Sequence, residues 1–255
     1  MNKKSKNQRK NNDFNEIFGI HAVIAAIKNK ARKPQKLIIT SKIKKNLGEQ
    51  ILKTIPEILE LPLLEINKIY GSEKNHQGII LLTSKLKQPN LNEIINTNKN
   101  TKDIIVMLDQ VNDTNNIGSI MRSCSLFKCK TIIVSKDNSP DITSAITKAA
   151  SGAVEKVNYI KVSNLSQTIE KIKKNNYWVI GLDSNKDSNK KNFDLPKRCL
   201  LILGSERRGL RELTKKKCDF IKSIPIIIDE KYGIESLNVS NACAIALYAH
   251  FISNE

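Results

Sequence analysis

The chain has 255 residues, enough for one large domain or two modest ones at a prior of ~150 residues per domain. Hydrophobic residues make up 40% and charged residues 27%, which allows a buried core and excludes a globally disordered chain. No window approaches ~18 uninterrupted apolar residues, and no apolar stretch follows the basic start. We therefore expect neither a transmembrane helix nor a secretory signal.

The net charge and the cysteine content indicate what kind of partner the protein binds and in which compartment it occurs. Lys and Arg number 43 against 25 acidic residues, and the net charge of +18 is typical of proteins that bind a polyanion, because neutralised phosphates release counterions. The abundance of Lys, Asn and Ile together also fits a compositional bias of the genome, so the charge alone leaves both interpretations open. Five irregularly spaced cysteines predict reduced thiols in a cytoplasmic protein. Cys124 and Cys129 lack the second pair that a zinc site needs, and no metal is predicted.

The first half of the chain predicts a basic tail and a small α/β unit. Residues 1–15 form the tail, with five positive charges in the first twelve residues. Apolar residues at helical spacing predict a helix in IFGIHAVIAAIKNK, with Gly19 near its start, and a second helix over 46–59. Apolar runs at 36–40, 63–66 and 78–84 predict strands. Together these elements form a unit over residues 16–86.

The second half predicts a larger parallel α/β domain over residues 103–255. It follows a polar, Asn-rich linker with Pro89, residues 87–102, which contains one short helical turn. Strands are predicted at 104–108, 131–135, 157–162, 177–182, 199–204 and 224–228, and helices at 116–128, 141–151, 164–175, 207–216 and 236–252. Continuous Ile, Val and Leu runs separated by helices indicate a mostly parallel sheet with helices on both faces.

Three loops that follow predicted strands hold most of the unusual polar residues of this domain. Ligands of such sheets bind beyond the carboxyl ends of the strands. The loops span residues 108–124 with Asn116 and Arg122, 204–210 with Gly204 and Glu206, and 229–242 with Ser236 and Asn238. Each residue alone has an ordinary explanation as a helix cap or a solvated charge. Three polar loops at one sheet edge together favour a site, and Arg122 near a helix start could hold a phosphate.

Three familiar types of site do not fit these loops. GSERRGL has the glycine spacing of a phosphate-binding P-loop, but Leu210 stands where that loop needs Lys. No G-x-G-x-x-G follows the first strand of either domain, which argues against a dinucleotide site. The histidines His21, His76 and His250 all lie outside the three loops, so a Ser-His-Asp hydrolase is also disfavoured.

The polar loops carry a family resemblance. NNIGSIMRS, LLILGSERRGL and IPI…SLNVSNACAIALY, in this order, resemble the three motifs of the SpoU (TrmH-type) RNA ribose 2′-O-methyltransferases. FGIHAVIAAIK and HQGII resemble the opening and closing signatures of the substrate-binding domain of the member that methylates a guanosine ribose in large-subunit ribosomal RNA. Residues 136–157 resemble the segment between the first two motifs. The resemblance covers about residues 16–252.

The resemblance implies a fold, a cofactor and a set of roles. It implies a C-terminal domain with a trefoil knot, which ordinary connection rules would exclude, together with an N-terminal RNA-binding domain. It implies S-adenosylmethionine as the methyl donor, ribosomal or transfer RNA as the partner, and a homodimer packed around the cofactor region. The residues implied to line the cofactor pocket are Gly204, Ile224 and Leu237. Those implied to form the catalytic site around the methyl group and the ribose are Asn116, Arg122, Glu206, Ser236 and Asn238.

The resemblance implies that Arg122 assists deprotonation of the hydroxyl. Because arginine stays protonated in proteins, the alternative that we expect is that Arg122 binds a substrate phosphate and stabilises the developing alkoxide, oriented by Asn116 and Glu206. Two departures from the family stand out. Arg207 replaces a common second glycine, and the stretch around 226–235 is longer by about four residues. The predicted activity is methylation of a ribose 2′-hydroxyl, with a guanosine of large-subunit ribosomal RNA as the expected target. Transfer RNA, another ribosomal site, or a catalytically silent RNA-binding relative remain alternatives, the last disfavoured by the retained motif residues.

Overall fold

The computed structural model describes residues 14–95, 101–184, 193–227, 232 and 236–253. The chain divides into two compact units, residues 1–87 and 88–255. Of the predicted tail, residues 1–13 lie outside the described residues, and Phe14 and Asn15 begin the first strand. In the part of the chain that the structure describes, no helix has the length and apolar character needed to span a membrane.

The first unit is a four-stranded sheet with helices on both faces. Its elements are β1 (Phe14–Phe18), α1 (Ile20–Lys28), β2 (Pro34–Ile39), α2 (Ser41–Asn46), α3 (Glu49–Leu52), β3 (Glu57–Glu60), α4 (Leu63–Tyr70) and β4 (Ile79–Ser84). The strand order is β1-β4-β2-β3; β4 runs antiparallel to both of its neighbours, and β2 and β3 are parallel. Alternate residues of β4 face opposite sides, with Ile79 and Leu81 packed in the α1 core and Ile80 packed beside Ile66 of α4.

The structure corrects two predictions in this unit. The helix predicted over 46–59 is wrong, because Pro56 cannot continue a helix; α3 ends at Leu52 and β3 follows Pro56. The strand predicted over 63–66 is wrong as well, since these residues begin α4 directly after Pro62. A short apolar run does not distinguish a strand from a helix, and here the only fully buried member is Ile66.

The second unit is a six-stranded parallel sheet covered on both faces. After α5 (Leu91–Ile95), its strands are β5 (Asp103–Asp109), β6 (Thr131–Ser135), β7 (Asn158–Val162), β8 (Trp178–Leu182), β9 (Arg198–Gly204) and β10 (Phe220–Lys222). The order is β10-β8-β9-β5-β6-β7, and every pairing is parallel, as predicted. The helices are α6 (Thr114–Leu126), α7 (Ser144–Ala150), α8 (Leu165–Lys173), α9 (Glu212–Lys215) and α10 (Val239–Ile252). Side chains of α6, α7 and α10 cover one face, and those of α5 and α8 cover the other.

Two predicted elements of this unit differ in the structure. Residues 224–227 are not a strand: Pro225 lacks the N–H that a strand interior needs, and the edge position beside β8 is occupied by β10. The helix predicted over 207–216 is shortened to α9, because Gly209 at φ +63° belongs to a tight turn. The other predicted strands and helices of this unit are confirmed to within a few residues at each end.

The parallel arrangement fixes where a ligand could bind. The last residues of β5 and β9, Asp109 and Gly204, are partners in the sheet, and Leu182 of β8 pairs with Leu203. The loops after these central strands therefore leave the sheet at the same edge.

Candidate functional site

The amino-terminal turn of α6 presents Asn116 at this edge. Asp113 caps the helix, with its carboxylate accepting a hydrogen bond from the Asn116 backbone N–H at 2.8 Å. Because Asp113 is the cap, the side-chain amide of Asn116 is not needed for capping and can contact other loops. Gly118 is required for packing behind it, because a Cβ there would lie 2.4 Å from Ala149 Cβ.

The Asn116 side chain joins the three polar loops. Its Nδ2 donates to Glu206 Oε1 at 2.5 Å, and its Oδ1 accepts from Asn238 Nδ2 at 3.1 Å. Asn238 is itself the N-cap of α10, with Oδ1 accepting from the backbone N–H of Ser240 at 2.9 Å. Three residues from distant parts of the sequence therefore form one hydrogen-bonded group, which we call the amide bridge (Asn116, Glu206 and Asn238).

Ser236 lies outside this bridge. The sequence suggested Ser236 as the cap of the last helix, but α10 begins at Val239 and Asn238 caps it. Ser236 is exposed two residues before that cap and lines the cavity described below. Its hydroxyl is consequently available to a ligand.

A tight hairpin holds Glu206 at the end of β9. Ser205 and Gly209 pair through two backbone hydrogen bonds of 3.1 and 2.9 Å, so residues 206–208 form its tip. Gly204 makes the turn possible: a Cβ there would lie 2.1 Å from the carbonyl carbon of Gly209 and 2.3 Å from the Leu210 nitrogen. Because those atoms belong to the backbone, the hairpin has no room for any other residue at 204.

The hairpin forms one wall of a cavity of about 320 Å³. Gly204, Ile224 and Leu237, the three residues expected to hold a cofactor, all line it, and so do Glu206 and Ser236. The remaining lining residues come from the ends of β8 and β9, the hairpin, residue 226 and the start of α10: Leu182, Asp183, Ser184, Leu203, Ser205, Arg207, Arg208, Gly209, Ile226, Val239 and Ala242. Apolar and polar side chains line the cavity in about equal number, and its volume lies at the lower end of the range of small-molecule sites.

Arg122 lies on a different side of α6 from the amide bridge. It lies six positions after Asn116, which places it about 9 Å along the helix and about 240° around it. Its side chain is exposed, and no hydrogen bond or ion pair joins it to Asn116 or Glu206 among the residues the structure describes. The expectation that these two residues orient Arg122 therefore finds no contact within one chain.

Two acidic residues, Asp109 and Asp183, hold the segment that follows the hairpin against the sheet. Asp109 is completely buried; its Oδ2 accepts from Thr214 Oγ1 at 2.6 Å, and Arg211 Nη2 lies 2.7 Å from Oδ1 as an ion pair without hydrogen-bond geometry. Asp183 pairs with Lys215 at 2.8 Å, and this hydrogen bond raises the pKa of Lys215. Because Arg211, Thr214 and Lys215 directly follow the hairpin, both acids tie it to the sheet.

Comparison with known proteins decides the family. The sequence model of the SpoU rRNA Methylase family matches residues 103–248, and that of RNA 2′-O ribose methyltransferase substrate binding matches residues 17–89. The chain is 33% identical to the 23S rRNA (guanosine-2′-O-)-methyltransferase RlmB of Coxiella burnetii, covering 91% of this chain and 93% of that protein. This chain belongs to the SpoU rRNA methylase family. It is therefore an RNA-methylating enzyme.

Solved structures share the fold of this SpoU methylase along nearly the whole chain. The SpoU methyltransferase AviRb from Streptomyces viridochromogenes, in complex with the cofactor AdoMet, has a TM-score of 0.75 at 19% identity and covers 95% of this chain and 92% of its own. An AdoMet-bound rRNA methyltransferase from Sinorhizobium meliloti has a TM-score of 0.73 at 20% identity, covering 93% and 87%. These matches confirm the predicted α/β fold class with its mostly parallel sheet.

The structure of this SpoU methylase adds residues that the sequence did not single out. Asp183 and Ser184 line the cavity although they follow β8, whose loop was not among the three predicted. The position of Asp183 directly after a buried strand was the available signal. Asp109 gave the same signal at the end of β5, but only the structure reveals that its carboxylate turns inward to Thr214.

Proposed function

We propose that this SpoU methylase transfers a methyl group from S-adenosylmethionine to the 2′-hydroxyl of a guanosine in large-subunit (23S) ribosomal RNA. One observation carries the proposal: the cavity lined by Gly204, Ile224 and Leu237 adjoins the amide bridge through Glu206. The target follows the relative that shares 33% of its residues over both units. The proposed role of residues 16–86 is to bind that RNA, and residues 103–255 carry the chemistry.

The cavity fits the proposed cofactor in size and chemistry. Apolar side chains of Ile224 and Leu237 suit the adenine base, whereas Asp183 and Ser236 offer polar groups to the hydroxyls and the amino-acid portion. The absence of a side chain at Gly204 keeps the backbone of the hairpin close to the ligand. When bound, S-adenosylmethionine supplies a methyl group already activated by its sulfonium.

The chain's own residues then have to hold the ribose 2′-oxygen in line with the methyl group and assist the loss of the hydroxyl proton. Correct positioning alone can lower a barrier by roughly 7–11 kcal/mol at best. The amide bridge gives Asn116 and Glu206 fixed orientations, and Ser236 and Asn238 offer further donors and acceptors to the ribose. Arg122 remains a cation in our proposal: it binds a backbone phosphate and stabilises negative charge on the 2′-oxygen as the hydroxyl proton passes to water.

We also propose a homodimer, and two exposed apolar surfaces support it. Ile245, Tyr248 and Ile252 form one stripe on α10, and Leu126 of α6 is 67% exposed. Phe127 joins the two surfaces, because its ring lies edge-on to Tyr248 at 5.8 Å. Arg122 is one helical turn before Leu126, so a dimer through this surface has Arg122 at its interface. A cytoplasmic location remains a prediction from the cysteine content.

The decisive experiment is a methyl-transfer assay with labelled S-adenosylmethionine, followed by mapping of ribose methylation. We expect transfer to one guanosine of a large-subunit ribosomal RNA transcript, and loss of that mark in cells that lack the protein. The Arg122→Ala variant should bind the cofactor normally and transfer methyl at least about 100-fold more slowly. Methylation of transfer RNA alone would overturn the target, and a parental rate for Arg122→Ala would overturn the role of that residue.

A further inference from the structure

Three arginines follow Glu206 in the hairpin segment, and they have different surroundings. Arg211 is committed to the buried carboxylate of Asp109. Arg207 and Arg208 are exposed at the tip, and no ion pair or side-chain hydrogen bond joins either guanidinium to any residue that the structure describes. Contacts within the described residues therefore do not explain why two cations stand at the tip. Both of them line the cavity.

The hairpin places both arginines beside the amide bridge. Glu206 in the same three-residue tip is bonded to Asn116, so the tip is anchored to the amide bridge. The hydroxyl of Ser205 also accepts the backbone N–H of Arg208 at 3.3 Å, which further restrains the turn. Consecutive α-carbons are about 3.8 Å apart, so Arg207 and Arg208 begin within about 4 and about 8 Å of Glu206.

We propose that Arg207 and Arg208 bind the two phosphodiesters that flank the target ribose and so position the RNA at the cavity. This inference rests on the proposed function. An internal ribose carries a phosphate on its 5′ side and another on its 3′ side, so two anions necessarily accompany the 2′-hydroxyl into the site. The guanidinium fork is suited to phosphate, which it binds through two parallel hydrogen bonds. The two arginines at the tip supply one guanidinium for each of these phosphodiesters, in addition to the phosphate contact proposed for Arg122.

The test compares two double variants that remove the same charge. Arg207→Gln/Arg208→Gln removes the proposed contacts, and Lys171→Gln/Lys174→Gln removes two exposed lysines at the end of α8. For the arginine variant with a large-subunit ribosomal RNA transcript, we expect the slope of log affinity against log salt to fall by about 1.4–1.8, or 0.7–0.9 for each lost phosphate contact. The KM for RNA should rise roughly tenfold or more. The kcat should stay within about twofold, and affinity for S-adenosylmethionine should not change.

A conservative double variant and three contrary results distinguish phosphate binding from other roles of the two arginines. Arg207→Lys/Arg208→Lys keeps both charges but not the planar fork, so it should retain most of the salt slope while raising KM partially. Weaker cofactor binding with an unchanged salt slope would assign the arginines to the cofactor and overturn the proposal. An equal effect of the lysine variant would reduce them to general surface charge and overturn it as well. If the parent protein binds RNA but methylates none, the proposed function fails, while the salt slopes still decide the phosphate contacts.

Discussion

At the scale of single residues, the site depends on groups whose size matters as much as their chemistry. Gly204 donates nothing through a side chain, yet it is the position at which the hairpin closes on the end of β9. Asn116 makes its contribution through an amide that offers a donor and an acceptor at once, which is why it can join Glu206 to Asn238. An ionised carboxylate at 116 could not donate to Glu206, and a serine or threonine hydroxyl would have to make both contacts from one atom on a shorter side chain.

Gly204→Ala should open the hairpin. The added methyl group would overlap backbone atoms of Gly209 and Leu210, which cannot rotate away as a flexible side chain can. We expect a loss of about 1–3 kcal/mol in the free energy of unfolding and at least a tenfold weaker affinity for S-adenosylmethionine. Denaturant unfolding and calorimetric titration measure both quantities. Gly48→Ala is the matched control, because a Cβ there meets nothing within 4 Å, and it should change stability by less than about 0.5 kcal/mol.

At the scale of elements, α9 connects the hairpin to the sheet and so fixes where the hairpin lies. It is only four residues long and would not be stable alone, so its place depends on Thr214 and Lys215 binding the acids at the ends of β5 and β8. Asp109 is also the sheet partner of Gly204. Asp109 thus holds the hairpin at both ends, through its backbone pairing with Gly204 and through the contacts of its carboxylate with Thr214 and Arg211.

Thr214→Val should weaken this connection with little change in shape. The valine leaves Asp109 Oδ2 buried without its hydroxyl donor, at a cost of about 1–3 kcal/mol in unfolding free energy. We also expect weaker cofactor binding, because the hairpin loses part of its support. Thr214→Ser keeps the donor and should restore most of both. If valine and serine variants were equally stable, the hydroxyl would have no part in holding α9.

Most of the predictions of helices and strands that failed lie at prolines and glycines. At these positions the backbone cannot adopt the helix or strand that the hydrophobic pattern favours. Central strands such as β6 and β9 were predicted from sequence because long buried runs of Ile, Val and Leu have few alternatives. The run at 224–228 has the same composition, but Ile227 is 96% exposed and Ile224 lines the cavity. The family motifs identified the residues of the amide bridge, whereas the inward orientation of Asp109 and the separation of Arg122 from Asn116 required coordinates.

Buried histidines should make both units less stable in mildly acidic solution. Burial lowers the pKa of His76 in the first unit and of His250 in the second, opposed in His76 by the charge of Glu73 and in His250 by its hydrogen bond to the Lys197 carbonyl. A lowered pKa means that the unfolded chain takes up the proton first. Stability is therefore full above the ordinary value near 6.5 and is lost as the pH falls below it.

The expected slope is at most about 1.4 kcal/mol per pH unit for each histidine, and it begins as the pH falls below about 6.5. Urea unfolding at a series of pH values measures it. His76→Gln should lower stability at pH 7.5, because it removes the contacts of the buried ring with Asn67 and Gly78, and it should reduce the slope of the first unit. A slope that survives His76→Gln unchanged would assign the acid sensitivity to other groups.

At the scale of the whole molecule, the described residues do not cover the apolar surface of α6 and α10. Most of α10 is apolar around its circumference, and Cys243 and Leu247 already pack in the core on the inner side. Within the part of the chain that the structure describes, the outer stripe of α10 and Leu126 are exposed to water. A helix that is apolar all round is typical of burial on every side, and a second chain could provide that burial.

The homodimer proposal predicts that charge in this surface separates the chains. The parent protein should have twice its 28.7 kDa chain mass in light scattering. Tyr248→Asp or Leu126→Asp should give single chains, because a carboxylate cannot be buried in an apolar interface without a partner. Leu64→Asp is the control, since Leu64 is 73% exposed in the first unit and should leave the mass unchanged.

The same variants test whether the dimer is needed for catalysis. Arg122 shares its helical face with Leu126, so separation of the chains should remove methyl transfer even though each chain keeps its own cavity and amide bridge. Cofactor binding and methyl transfer, measured on the separated chains, distinguish loss of the interface from loss of the fold. Single chains that methylate RNA at the parental rate would show that one chain contains the complete site, and would contradict a role for the interface in the reaction.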